Sequence, residues 1–112
     1  MGEQLNIEVR QERDRIVLTL HGELDLLAAP LLQSELESNV VDVADILVLD
    51  LDDVQFIDSA GLRVVLAAHE RAVERDQTLA LTPGSPQVQR LLSIAGVSGH
   101  LRTIASADAA LA

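Results

Sequence analysis

The sequence predicts an α/β domain whose sheet is mixed but mostly parallel, with an N-terminal antiparallel hairpin and four helices. Three observations carry this expectation. Strand-like and helix-like segments alternate along the 112 residues in the order β-β-α-β-α-β-α-β-α, the pattern of a sheet joined by helical crossovers. The run Ile46-Leu47-Val48-Leu49-Asp50-Leu51 is almost continuously apolar, as in a parallel strand covered on both faces. Only a short charged link, Glu12-Arg13-Asp14-Arg15, separates the first two strand-like segments, which suits a hairpin and not a crossover.

Each element has its own local reason. Leu5-Asn6-Ile7-Glu8-Val9-Arg10 alternates apolar and polar residues, which predicts a half-buried strand at or near a sheet edge. Ile16-Val17-Leu18-Thr19-Leu20 is rich in β-branched residues and predicts a second strand, ended by Gly22. A helix is predicted over residues 28–38, because Pro30 suits a first turn and Leu31, Leu32, Leu36 and Val40 keep roughly helical spacing. The apolar run at 46–51 is the third strand, followed by a turn at Asp52-Asp53-Val54. Residues 60–75 are strongly helical: Leu62, Val65, Leu66, Ala72 and Val73 form an apolar stripe, opposite Arg63, Glu70, Arg71, Glu74 and Arg75. Thr78-Leu79-Ala80-Leu81-Thr82 predicts a fourth strand, closed by Pro83-Gly84. Ser85 as cap and Pro86 at the first position open a further helix, buried through Val88, Leu91, Leu92 and Ala95 and stopped by Gly96. Leu101 to Ala105 reads as a weak last strand, and Ser106 as the cap of a short terminal helix ending at Leu111. The length fits one domain over residues 1–112.

Composition narrows the function classes. A hydrophobic share of 48% is too high for a disordered chain, and Phe56 is the only aromatic residue, so the expected core is aliphatic. Net charge is −10, and all eight basic residues are arginines. That balance argues against nucleic acid and against anionic membranes; it fits solubility or a partner with a basic face. Without cysteine there is no disulfide, thiol nucleophile or thiolate metal site. The N-terminus lacks a secretory pattern, no apolar run reaches membrane-spanning length, and Asn6 breaks a myristoylation signal at Met1-Gly2, so a cytoplasmic protein is expected.

The polar residues with possible chemistry gather where strands should end. Phe56-Ile57-Asp58-Ser59-Ala60-Gly61-Leu62 lies past the third strand, and Gly22-Glu23-Leu24-Asp25 past the second. Asp58 or Ser59 can cap the following helix by accepting an early backbone N–H. The same position offers Ser59 backbone donors and a helix dipole that tolerate an anion, which suits a phosphoacceptor. Asp25 orders the turn before the first helix, or shapes an acidic docking patch beside Ser59. Asp50, Asp52, Asp53 and Asp58 raise a divalent-metal site or a phosphoacceptor-aspartate receiver; the receiver site needs a lysine that this chain lacks. His21, His69 and His100 are scattered and no Gly-x-Ser-x-Gly elbow exists, which weighs against a serine hydrolase. No glycine-rich phosphate loop is present, so no cofactor is expected.

Taken together, Leu49-Asp50-Leu51, Phe56 to Leu62, Gly22 to Asp25 and Ala29-Pro30 resemble the STAS domain of bacterial anti-sigma factor antagonists. Val88-Gln89-Arg90-Leu91-Leu92 and Ala95-Gly96-Val97 are similar to the later helix of that family, so the resemblance covers essentially the whole chain. It departs at Ala28, where the family often has Ser or Thr, and at Thr82-Pro83, where Asn-Pro is frequent. The resemblance implies a binding module and not an enzyme. The unphosphorylated antagonist binds an anti-sigma factor that is a GHKL-type serine kinase, and sigma factor is released. The kinase phosphorylates the serine at the position of Ser59, affinity is lost, and a PP2C-type phosphatase resets the module. Asp25, Asp58, Ser59, Ala60, Gly61, Leu62 and Arg63 are the partner-binding residues it implies, with Gly61 keeping the surface low for the kinase and Leu62 an apolar anchor if exposed or a core residue if not, the partly exposed role being preferred. The chain is expected to be a monomer or weak dimer. Two other readings stay open: a non-switching STAS scaffold in a stress-signalling or lipid-transport complex, and a metal-assisted hydrolase built on the aspartates.

Overall fold

Nine elements make up the computed structural model, which describes residues 4–94 and 101–109. In chain order they are β1 (Asn6–Gln11), β2 (Ile16–Leu24), α1 (Ala29–Leu36), α2 (Asn39–Asp42), β3 (Ile46–Ile57), α3 (Ser59–Glu74), β4 (Thr78–Leu81), α4 (Pro86–Ile94) and β5 (Arg102–Thr103). The strands form one sheet in the order β1-β2-β3-β4-β5. β1 pairs with β2 antiparallel, at the sheet edge as expected, and the other three pairings are parallel.

Strand order therefore follows chain order without reversal. Crossovers between parallel strands are right-handed in nearly all folds, so a sheet growing in one direction sends its helices to one face. Burial shows this layering. Ile16, Leu18 and Leu20 of β2, Leu47, Leu49 and Leu51 of β3, and Leu79 and Leu81 of β4 share a core with the helices. Leu32 and Leu36 of α1, Leu62, Val65, Ala68 and Ala72 of α3, and Val88 and Leu92 of α4 supply the helical side of it. Intervening residues point to the opposite face, where Val17, Val48 and Ala80 pack under Ile104 and Ala107. The continuous apolar run of β3 thus has two different covers, helices on one side and the C-terminal segment on the other. Arg15 secures that second cover: its buried guanidinium donates to the carbonyls of Ala107 and Ala109 at 3.1 and 2.9 Å. The same guanidinium grips Asp14 with two bonds of 3.1 Å, and these hydrogen bonds hold the Asp14 carboxyl below its ordinary pKa.

Two strands run further than their local sequence suggests. Gly22 does not end β2, and Asp52-Asp53-Val54 is no turn: β2 continues to Leu24 and β3 to Ile57. The pairing slips twice, between Thr19 and His21 and between Gly22 and Glu23, and at each slip β3 contributes one extra residue. These bulges convert the twofold alternation of β3 into a spacing of three, with Leu51, Val54 and Ile57 buried and the pairs between them exposed. A turn was expected there because the alternation fails. Gly22 sits at the second slip with φ 109°, a conformation that glycine adopts without steric cost.

The helices differ from expectation in detail. The buried stripe of α3 includes Val64 and Ala68, whereas Val73 is exposed. α2 is an unanticipated single turn. Ser85 caps α4 as predicted, its hydroxyl accepting from the Val88 N–H at 3.3 Å. Residues 105–109 form bends and a turn in place of a helix begun at Ser106. Ala95, Gly96 and Leu111, invoked above as helix positions, lie outside the described residues, as does His100.

Candidate phosphoacceptor and docking site

β2 and β3 finish side by side, Leu24 opposite Ile57, and the site is built from the two chain segments that leave them. One passes through Asp25 to α1; the other passes through Asp58 to α3. Asp58 is the N-cap of α3, with the extended backbone (φ −112°, ψ −173°) that capping requires. Its Oδ1 accepts from the Gly61 N–H at 3.0 Å. Its Oδ2 reaches the other segment and accepts from the Leu26 N–H, also at 3.0 Å. The Asp58 N–H in turn donates to the Leu24 carbonyl at 3.3 Å. One carboxylate therefore ties the β2–α1 turn to the start of α3.

Asp25 plays the matching part for α1. Ala28 at the N-cap offers no side-chain acceptor, as the missing hydroxyl foretold. Asp25 substitutes for it: Oδ1 accepts from the Ala28 N–H at 3.0 Å, and the Asp25 carbonyl accepts from the Ala29 N–H at 2.8 Å. Both acids thus carry negative charge while their oxygens order backbone.

Ser59 is the first residue of α3 and is exposed; Ala60 beside it is half-buried and Arg63, one turn on, is exposed. The helix start concentrates N–H donors and the positive end of the dipole near the Ser59 hydroxyl. Gly61 is buried, and its packing requires the absence of a side chain. A Cβ there would overlap the Leu24 carbonyl oxygen and crowd the Leu24 Cγ at 2.8 Å. Glycine here lets α3 pack against the end of β2. Leu62 is corrected: at 9% exposure it belongs to the core and is no exposed anchor.

The exposed apolar residues near Ser59 are others. Leu26 and Leu27, in the turn pinned by Asp58 and Asp25, are 70% and 87% exposed, and Phe56 is 38% exposed. Their signal in the sequence was two adjacent leucines, between Asp25 and Pro30, outside any regular stripe.

The remaining acids are dispersed. Asp50 accepts from the buried Thr82 hydroxyl at 3.2 Å, and Thr82 Oγ1 accepts from the Leu51 N–H at 2.7 Å, stitching β4 to β3. Asp53 pairs with His21 Nδ1 at 3.1 Å. Among the described residues no three His, Asp or Glu side chains come together as a metal-ligating set. A depression of about 420 Å³ lined by His21, Asp52, Asp53, Gln55 and Ser85 includes none of Asp25, Asp58 and Ser59. No described helix is long and apolar enough to cross a membrane.

Comparison with known proteins gives the family and the fold. The STAS domain family model matches residues 6–110. An anti-sigma-B factor antagonist of Listeria monocytogenes is 33% identical over 95 residues, covering 84% of this chain and 83% of that protein. The anti-sigma-B factor antagonist of Bacillus subtilis is 30% identical over 93 residues, covering 83% and 84%. The crystal structure of an anti-sigma factor antagonist from Mycobacterium paratuberculosis superposes with a TM-score of 0.83 at 24% identity, over 94% of this chain and 89% of that one. With its five-stranded sheet, the Asp58 cap and these matches along nearly its full length, the chain belongs to the STAS domain family.

Proposed function

We propose that this chain is an anti-sigma factor antagonist controlled by phosphorylation of Ser59. It binds an anti-sigma factor that is a GHKL-type serine kinase, which frees the sigma factor. The kinase transfers the γ-phosphoryl group of ATP to Ser59 Oγ; the hydroxyl proton leaves and ADP is the second product. A PP2C-type phosphatase hydrolyses the ester and restores the binding form. The chain is ligand and substrate in this cycle, not catalyst, and it works in the cytoplasm as one domain. The names of the relatives in Listeria and Bacillus support the partner class.

The observation that carries the reading is the placement of Ser59: exposed, first in α3, next to a cap residue whose carboxylate is already committed to backbone. Phosphorylation adds roughly −1.5 to −2 charge units at neutral pH. In a docked interface that charge would face Asp25 and Asp58 with little solvent to screen it. A penalty of about 3 kcal/mol weakens binding by roughly two orders of magnitude. The N–H donors of the helix start can still receive the phosphoryl oxygens, so the fold itself tolerates the change.

Intact mass after incubation with candidate kinases and ATP, followed by site mapping, tests this directly. Ser59→Ala should keep kinase binding and gain no phosphate, while Ser59→Asp should bind poorly. Stoichiometric phosphate on another residue, with Ser59 unmodified, would overturn the reading.

A further inference from the structure

Resting on that reading, we infer that Leu26 and Leu27 form the apolar anchor of the docking surface and enter an apolar pocket with a basic rim on the anti-sigma factor. Exposure alone does not carry this, since single apolar side chains are common on protein surfaces. Three further observations do. The two leucines are adjacent, and the turn that bears them is fastened on both sides: the Leu26 N–H by Asp58 Oδ2, the Ala28 N–H by Asp25 Oδ1. A turn held in one conformation gives up less entropy on binding than a loose one.

The second observation is continuity. The carboxylate that fastens Leu26 also caps α3, whose first residue is Ser59. A partner that seats the leucines therefore covers the hydroxyl as well, and phosphate on Ser59 falls inside the same contact. The third is charge. Asp25 and Asp58 hold the turn in a chain of net charge −10, so a complementary pocket has an apolar floor and cations at its edge.

Leu26→Ser, Leu27→Ser and the double variant distinguish this from its alternatives. Binding is read by calorimetry against the anti-sigma factor kinase that phosphorylates the wild-type chain on Ser59. Val43→Ser serves as control: Val43 is 80% exposed but precedes β3, at the opposite end of the sheet from Ser59. Each single variant should weaken binding about tenfold and the double about a hundredfold. Melting temperature and the Val43→Ser affinity should stay at wild-type values. Wild-type affinity in the double variant, or an equal loss in Val43→Ser, overturns the anchor while leaving the Ser59 switch intact. Self-association of the wild type that the leucine variants abolish, with kinase binding unchanged, assigns the turn to a second copy and overturns it too. If no kinase both binds the wild type and phosphorylates Ser59, the switch falls and the anchor with it.

Discussion

With both Asp58 oxygens accepting backbone N–H groups, removing the carboxylate leaves donors unanswered in two segments at once. Loss of an N-cap alone costs about 0.5–2 kcal/mol, and the Leu26 N–H adds to it. Asp58→Ala should therefore lower stability by more than an ordinary cap deletion, while Asp58→Asn, whose single amide oxygen can accept only one of the two N–H groups, should fall between Asp58→Ala and the wild type; urea denaturation of the three proteins separates these outcomes. Gly61→Ala is the companion case. The added methyl meets a backbone carbonyl, which cannot rotate away as a side-chain tip could, so α3 must shift off β2. A loss of about 1–3 kcal/mol is expected, in the range of overpacked cores. Wild-type stability in Gly61→Ala would show that the helix start is loosely packed. At this scale the sequence displayed the cap and the serine, because capping is read from a few consecutive residues. For Leu62 it offered two readings, a place in the apolar stripe of α3 and an exposed anchor, and the packing of α3 on the sheet decides for the core.

Beyond their parallel ladder, β3 is tied to the end of β4 by a buried hydroxyl. Thr82 is fully buried; its Oγ1 takes the Leu51 N–H and donates to Asp50. Thr82→Val preserves the shape but leaves a buried N–H without acceptor, at a cost of about 1–3 kcal/mol. Equilibrium unfolding should show a lower midpoint with an unchanged denaturant slope. Asp14 and Arg15 predict a pH effect between elements. The Asp14 pKa is depressed in the folded chain, so its contribution is complete above the ordinary carboxylate range and is lost as pH falls through the lowered value. The acid side of the stability profile should be shallower in Asp14→Asn. The apolar run of β3 was legible because burial on both faces removes alternation. Its last six residues were not, because two bulges impose a spacing of three that no regular strand shows.

For the whole molecule, the sheet order decides what kind of site the strand ends can offer. Ligand crevices in open α/β sheets form where strand order reverses. Here it does not reverse among the described strands, and in the proposed function Asp25, Asp58 and Ser59 serve a protein partner and not a small ligand. The charge of −10 then acts at long range. Association with a basic partner should slow as NaCl is raised through the range where screening shortens the Debye length to about 8 Å, with dissociation much less affected. Stopped-flow rates that ignore salt would count against electrostatic steering.

By itself the sequence determined the succession of the five strands and of α1, α3 and α4, the aliphatic core, and the place of Asp58 and Ser59 at a helix start. Periodicity, capping and charge are properties of neighbouring residues, and they survive without a fold. Only the tertiary structure decided that Leu62 is inside while Leu26 and Leu27 are outside, that Gly61 answers to Leu24, and that Asp58 reaches across to a second segment. Those facts depend on which elements lie against each other, and β2 and β3 are brought together from positions more than twenty residues apart in the chain.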